Sequence, residues 1–218
     1  MADTTQKPSR RKRDAAGTRA AILQAALEEF SEMGHHGARV DRIAERAGVS
    51  KPMIYDYFGD KDAIYAAALR EAYVQIRAGE KDLSLDLDDP EGAVRLLLQF
   101  TMDHFRENPW FIRMLNTENL LGAKTIGQIE DISELQSVLL DRLRLILRRG
   151  AEDGIFRSNV DPVRFYVLMA SMCYFPVSNM HTLRTVFDAP IDEQWLSVQA
   201  EMAADALIKY LKADDIAS

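Results

Sequence analysis

A cation, a thioether, a carboxylate and a phenol, Lys51, Met53, Asp56 and Tyr57, stand close together on one short segment. The apolar residues of that segment, Ile54 and Phe58, lie four apart and so face inward on a helix, which leaves the other four on outer faces. A short helix that shows such groups outward is small enough to enter a DNA major groove. Catalysis has no comparable cluster. There is no phosphate-cradling glycine loop, no Gly-x-Ser-x-Gly turn and no zinc-spaced set of ligands. Glu28 and Glu29, like Asp214 and Asp215, are neighbouring carboxylates expected on exposed faces, not a facing pair. His35 and His36 are adjacent, so they cannot easily face one ion, and are expected to be solvated loop residues. The sequence thus predicts no enzyme, no cofactor and no metal.

The elements that must hold the segment are legible around it. Val40, Ile43, Ala44 and Ala47 recur at helical spacing. Gly48 follows where that helix must stop and reverse, a place for positive φ. Val49 is expected to point back into the core. Ser50 is placed as an N-cap, with Lys51 and Pro52 in the first turn, where proline's missing N–H costs little. The pattern from Arg39 to Phe58 is helix, tight turn, helix. Before it, residues 15–33 predict a helix with Ile22, Ala26, Phe30 and Met33 on one face, ended by Gly34. After it, Gly59 and Asp60 break and cap the chain ahead of a long helix from Lys61 to about Lys81.

Thr18-Arg19, Ile22-Leu23, Ala25-Ala26, Phe30, Gly34, Ile43-Ala44, Ala47-Gly48-Val49-Ser50, Tyr55, Tyr57-Phe58 and Lys61 form one set in register. With them the stretch from Thr18 to about Leu69 resembles the N-terminal domain of the tetracycline-repressor family. The resemblance implies an all-α fold of about nine helices. A three-helix DNA-binding domain with a helix-turn-helix would precede a helical ligand-binding and dimerisation domain. Residues 1–14, polar and basic with no apolar period, read as a disordered basic arm. The resemblance implies 15–75 as the DNA-binding domain with its motif at about 39–58, and 76–218 as the second domain. It places Lys51, Pro52, Met53, Tyr55, Asp56 and Tyr57 at or near the groove. Lys51 would donate to guanine, Met53 would touch a thymine methyl, and Tyr55 and Tyr57 would donate to phosphate, with Asp56 pointing away. Thr18, Arg19 and Lys61 would meet phosphate. Ser50 belongs to the same set. The family usually has Thr or Ser before the first motif helix. Here stand Ala38 and Arg39, so a capping hydroxyl is lost and Arg39 would replace its phosphate contact.

Charge is distributed to suit that picture. The chain of 218 residues carries a net −7, yet residues 1–62 hold 11 Lys and Arg against 10 Asp and Glu. The basic excess is concentrated in residues 7–19, and the acidic remainder carries −8. Such a molecule touches phosphate at one end only. The lone cysteine, Cys173, excludes an intrachain disulfide and points to a reducing cytoplasm. The uncharged stretch from Phe165 to Leu183 contains Ser171, Pro176, Asn179 and His181, and is read as a bundle helix rather than a membrane span.

Further helices are predicted from Pro90 to Asn108, Pro109 to Leu121, Ile129 to Ala151, Asp161 to Pro176, Asn179 to Phe187 and Ile191 to Lys212. Phe100, His104, Trp110, Phe111, Met114, Tyr166, Met169, Cys173 and His181 could line an apolar pocket, although for any one of them plain core is the commoner role. The expectation is a transcriptional regulator acting as a homodimer on a palindromic operator in double-stranded DNA. It would be a repressor answering to an unidentified small-molecule effector, with no membrane partner. By family analogy the helices at about 161–176 and 191–212 pair across the twofold axis. An activator or corepressor-dependent regulator of the same fold is a second reading, and a helical small-molecule-binding protein with a vestigial motif is a third.

Overall fold

Residues 10–212 are described by the structure, a computed structural model, and every regular element among them is helical. The first helix, α1 (Arg10–Gly37), buries Ile22, Ala26, Leu27 and Phe30 along one stripe. Gly34 takes φ 65°, which interrupts the helix where its end was expected. Met33, predicted on the buried stripe, is 45% exposed because it stands beside that interruption. Of the arm expected over residues 1–14, residues 1–9 lie outside the described residues, and the backbone is already helical at Arg10. Asp214 and Asp215 also lie outside them.

The next two helices are α2 (Val40–Ala47) and α3 (Lys51–Phe58). Gly48 adopts φ 66°, and its N–H and that of Val49 bond back to the carbonyls of Glu45 and Ala44. The reversal is therefore a left-handed helix cap, as Gly48 foretold. Ser50 Oγ accepts from the Met53 N–H at 3.4 Å. Only Ile54 of α3 is fully buried, whereas Phe58 and Val49 are half-buried. Asp60 Oδ1 accepts from the Ala63 N–H at 2.8 Å and opens α4 (Lys61–Asp82).

The chain divides into two compact units. One comprises the described residues up to Ala72 together with Arg113–Ile129, and the other Tyr73–Ile112 and the described residues from Glu130 onward. In the first, α1 packs on α2 and α2 on α3, around Ile22, Phe30, Ile43, Ile54, Ile64 and Tyr65. Each such side chain stabilises the fold by about 1.5–3 kcal/mol. Arg113–Ile129, expected to belong with the second domain, groups with this unit. There Glu118, fully buried, accepts the N–H groups of Thr125 and Ile126 at 3.1 Å each and folds the segment on itself.

The second unit is a helical bundle. Its helices are α5 (Pro90–Glu107), the start of α6 (Pro109–Leu120), α7 (Ile132–Glu152), α8 (Pro162–Ser178), α9 (Met180–Phe187) and α10 (Glu193–Lys212). The α5 helix packs on α7, α8 and α10, and α8 also packs on α7, α9 and α10. Leu97, Leu98, Met102, Leu143, Phe165 and Leu207 are buried there. There are ten α-helices among the described residues, one more than the nine expected. The helix predicted from Ile129 is delayed: a 3-10 turn, Ile126–Gln128, precedes it and α7 starts at Ile132. Pro176 deletes one backbone bond, yet α8 continues two residues beyond it. Among the described residues no helix is long and apolar enough to cross a membrane.

Candidate nucleic-acid interface

The outer face of α3 carries Lys51, Pro52, Met53, Tyr55, Asp56 and Tyr57, all exposed, while Ile54 at 0% exposure pins the helix inward. Single exposed apolar residues are ordinary, but a cluster of them marks an interaction surface. Here Met53, Tyr55 and Tyr57 remain 39%, 41% and 37% exposed on one eight-residue helix. The arrangement offers a cation, a thioether and two phenols to whatever the helix meets.

Asp41, in the first turn of α2, organises the cations beside it. Its carboxylate sits 2.5 Å from Lys51 Nζ and 3.1 Å from Arg39 Nη2. Those bonds, Lys51 first and Arg39 second, hold the Asp41 carboxyl below its ordinary range, and the same pairing raises Lys51. With all three side chains 47% exposed or more, the pairs are screened and exchangeable. A phosphate oxygen arriving at this face can take over either cation from Asp41. Arg19 lies with its guanidinium carbon 5.1 Å above the Phe58 ring and remains exposed beside α3. Thr18 is half-buried on α1. Ser50 is committed to its cap. Lys61 Nζ donates to the His36 carbonyl at 3.2 Å, with two ammonium protons still to place. Asp56 has no partner among the described residues, consistent with a side chain aimed at solvent.

Glu29 corrects the reading of the acidic pair on α1. Glu28 is half-buried, but Glu29 has 0% exposure. Its Oε1 accepts from the Arg39 N–H at 3.1 Å, and its Oε2 faces Arg46 at 3.5 Å and Arg42 at 3.7 Å. A carboxylate from α1 therefore satisfies the Arg39 N–H at the entry to α2, while no side chain takes the N–H groups that a hydroxyl at Arg39 would have capped. Spacing could have revealed it: Glu29 falls on the stripe of Ile22 and Ala26. His35 is likewise not a free loop side chain. Its ring stacks on Phe30 and its Nε2 lies 2.8 Å from Asp62, while His36 is exposed. No group of metal-ligating side chains occurs among the described residues.

The residues predicted for a pocket separate into groups. Phe100, His104 and Phe111 gather in the second unit, with ring centroids 5.9 Å and 5.3 Å apart in sequence, and half-buried Trp110 lies 6.0 Å from Phe111. Met169 and Cys173 are fully buried, and Tyr166 is half-buried on the same helix. Burial pushes the Cys173 thiol up to about 12, which makes it inert. Met114 is buried and falls in the first unit, and His181 is exposed on α9. A separate groove of about 380 Å³ is lined by Met172, Phe175, Pro176, Leu183, Phe187 and Trp195. The sequence reading missed Arg77, Glu80 and Arg142, which meet in the interior of the second unit.

Comparison with known proteins agrees with this geometry. Residues 22–68 match the profile described as bacterial regulatory proteins, tetR family, and residues 90–207 match that described as tetracyclin repressor-like, C-terminal domain. The transcriptional repressor NicS of Pseudomonas putida is 34% identical over 93% of this chain and 98% of its own length. The crystal structure of a transcriptional regulator, SCO4942, from Streptomyces coelicolor superposes with a TM-score of 0.65 at 26% identity, covering 89% of this chain and 98% of that one. Transcriptional regulator FadR from Bacillus subtilis, solved in complex with stearoyl-CoA, shares the fold with a TM-score of 0.65 at 21% identity, over 88% of this chain and 99% of that one.

Proposed function

The chain belongs to the tetR family of bacterial transcriptional regulators, and on that premise we propose that it is a repressor that grips a palindromic operator as a homodimer and releases it when a small molecule binds. The observation that carries the reading is the α3 face, where Lys51, Met53, Tyr55 and Tyr57 are held in solvent by a helix anchored at Ile54. Lys51 donates to a guanine edge and Met53 meets a thymine methyl. Tyr55, Tyr57, Thr18, Arg19, Arg39 and Lys61 fix the register on phosphates. Pro52 and Ser50 shape the helix start that brings these groups forward.

A single eight-residue helix reads few base pairs, so two copies are needed. An apolar stripe in the second unit suits that pairing: Val163 and Val167 on α8, and Val198 and Met202 on α10, are 48%, 56%, 49% and 62% exposed. Pairing of α8 and α10 with their twofold mates would cover it. The DNA-binding domain gives way to the effector-binding domain in sequence near residue 75, and the effector site uses Phe100, His104, Trp110 and Phe111. The repressor direction follows NicS, which is itself described as a repressor. Binding of duplex from the chain's own upstream region, measured with Lys51→Ala and Tyr55→Phe at stated salt, tests the reading. A folded variant pair that binds as the parent does would refute it.

A further inference from the structure

Besides Arg106 Nε on a partly exposed side chain, the second unit holds two buried side-chain nitrogens with no hydrogen-bond partner among the described residues. Arg77 on α4 is 6% exposed, and its Nη1 donates to Glu80, itself 4% exposed, leaving the buried Nε–H without an acceptor. His104 on α5 receives the Asn108 side-chain amide at Nδ1, 3.4 Å away. That bond uses the Nδ1 lone pair, so the neutral ring carries its proton on Nε2. The Nε2 atom is buried and also lacks a partner. The two groups share one neighbourhood: Arg77 stands on α4 between Tyr73, whose ring lies 5.9 Å from Phe111, and Gly79, which abuts Phe100, and both of those rings neighbour His104.

The charge around them is unbalanced. Arg142 donates to the Glu80 carbonyl and, at 2.5 Å, to the Leu83 carbonyl, and its charge also reaches the Glu80 carboxylate. Two guanidinium groups therefore face one carboxylate. Orphaned buried donors are rare in folded proteins and mark a place where an acceptor belongs. Here both orphans are donors, the net charge is positive, and the flanking groups are the rings of Phe100 and Phe111.

We propose that Arg77 Nε–H and His104 Nε2–H bind the carboxylate of a small organic acid, whose apolar body packs against Phe100 and Phe111. The proposal rests on the effector-responsive reading above and names the chemical class of the effector. Two carboxylate oxygens match two separate donors, and the negative charge matches the excess guanidinium. A neutral amide of the same shape cannot do this, because its NH2 would meet a donor.

The test is thermal unfolding of the full-length protein with acetate, benzoate and octanoate, each beside its amide. At about a hundredfold excess over Kd the bound acid raises Tm by roughly 5–10 °C. At least one acid at about 10 mM should shift Tm while its amide does not. Arg77→Gln should abolish the shift, and His104→Phe, which keeps the ring stack, should weaken binding about tenfold. An amide that matches its acid, three silent acids, or an unchanged shift in folded Arg77→Gln or His104→Phe would overturn the proposal. Mobility shift with upstream duplex reads the regulator function separately. Acid binding without DNA binding removes that function and leaves the site, and DNA binding without acid binding does the reverse.

Discussion

Replacing Glu29 probes how α2, and through it α3, is held. Its carboxylate accepts one backbone N–H at 3.1 Å and faces two guanidinium groups at 3.5 Å and 3.7 Å, with no solvent exposure of its own. A hydrogen bond to a charged group contributes about 1.5–3 kcal/mol. The longer pairs add little, because Arg42 is 47% exposed and Arg46 26%, so both can be resolvated. Glu29→Ala also leaves the Arg39 N–H without its acceptor and a small void, for a total of about 3 kcal/mol. Glu29→Gln retains an acceptor for that N–H and loses the charge, for about 1 kcal/mol. Thermal unfolding followed by circular dichroism should place the variants in the order parent, Gln, Ala, with the Ala variant lower by roughly 6–12 °C. Operator affinity should fall in the same order near the shifted transition. If the Gln and Ala variants both unfold with the parent, or Gln is the worse of the two, the buried carboxylate does not hold the entry to α2.

Other expectations follow from single contacts. Lys51→Ala should weaken operator binding by at least about tenfold and blunt discrimination at one base pair, whereas Tyr55→Phe should weaken all sequences evenly. Burial, with the Arg77 charge second, lowers His104 to about 4 from an ordinary 6.5. The folded state therefore favours the neutral ring, and its contribution is full above pH 6.5 and lost as pH falls toward 4. His104→Phe should flatten unfolding-temperature profiles across that window relative to the parent. Gly150→Ala would drive a Cβ into the buried Phe156 ring and should destabilise by about 1–3 kcal/mol in urea titration. Cys173 should resist thiol reagents in the native state and react on unfolding.

The reading head was legible because its information is local. Gly48, Ser50, Pro52 and the apolar spacing of α2 each act within a few residues, and the helix-turn-helix follows from them. Glu29 was misread because a charged residue beside another charge looks solvated. Its position on the Ile22 and Ala26 stripe mattered more than its type. The late start of α7 had no signal, since Ile129 fits the apolar period yet lies before the helix, buried in the first unit. The grouping of Met114 with the first unit had no signal for a related reason: periodicity assigns a face, not the unit the face packs into. Arg77, Glu80 and Arg142 were invisible because they meet across 62 residues of chain. Nothing in the neighbours of any one of them announces a polar interior.

Hydroxyl-radical footprinting of the upstream duplex, with parent and Lys51→Ala proteins, addresses the central claim most directly. Two protected patches on one face of the DNA, about 34 Å apart or at a comparable spacing, are predicted for the parent, and should fade in the variant. A parent that protects nothing at low ionic strength, or a pattern indifferent to Lys51, would contradict a dimer reading DNA through α3.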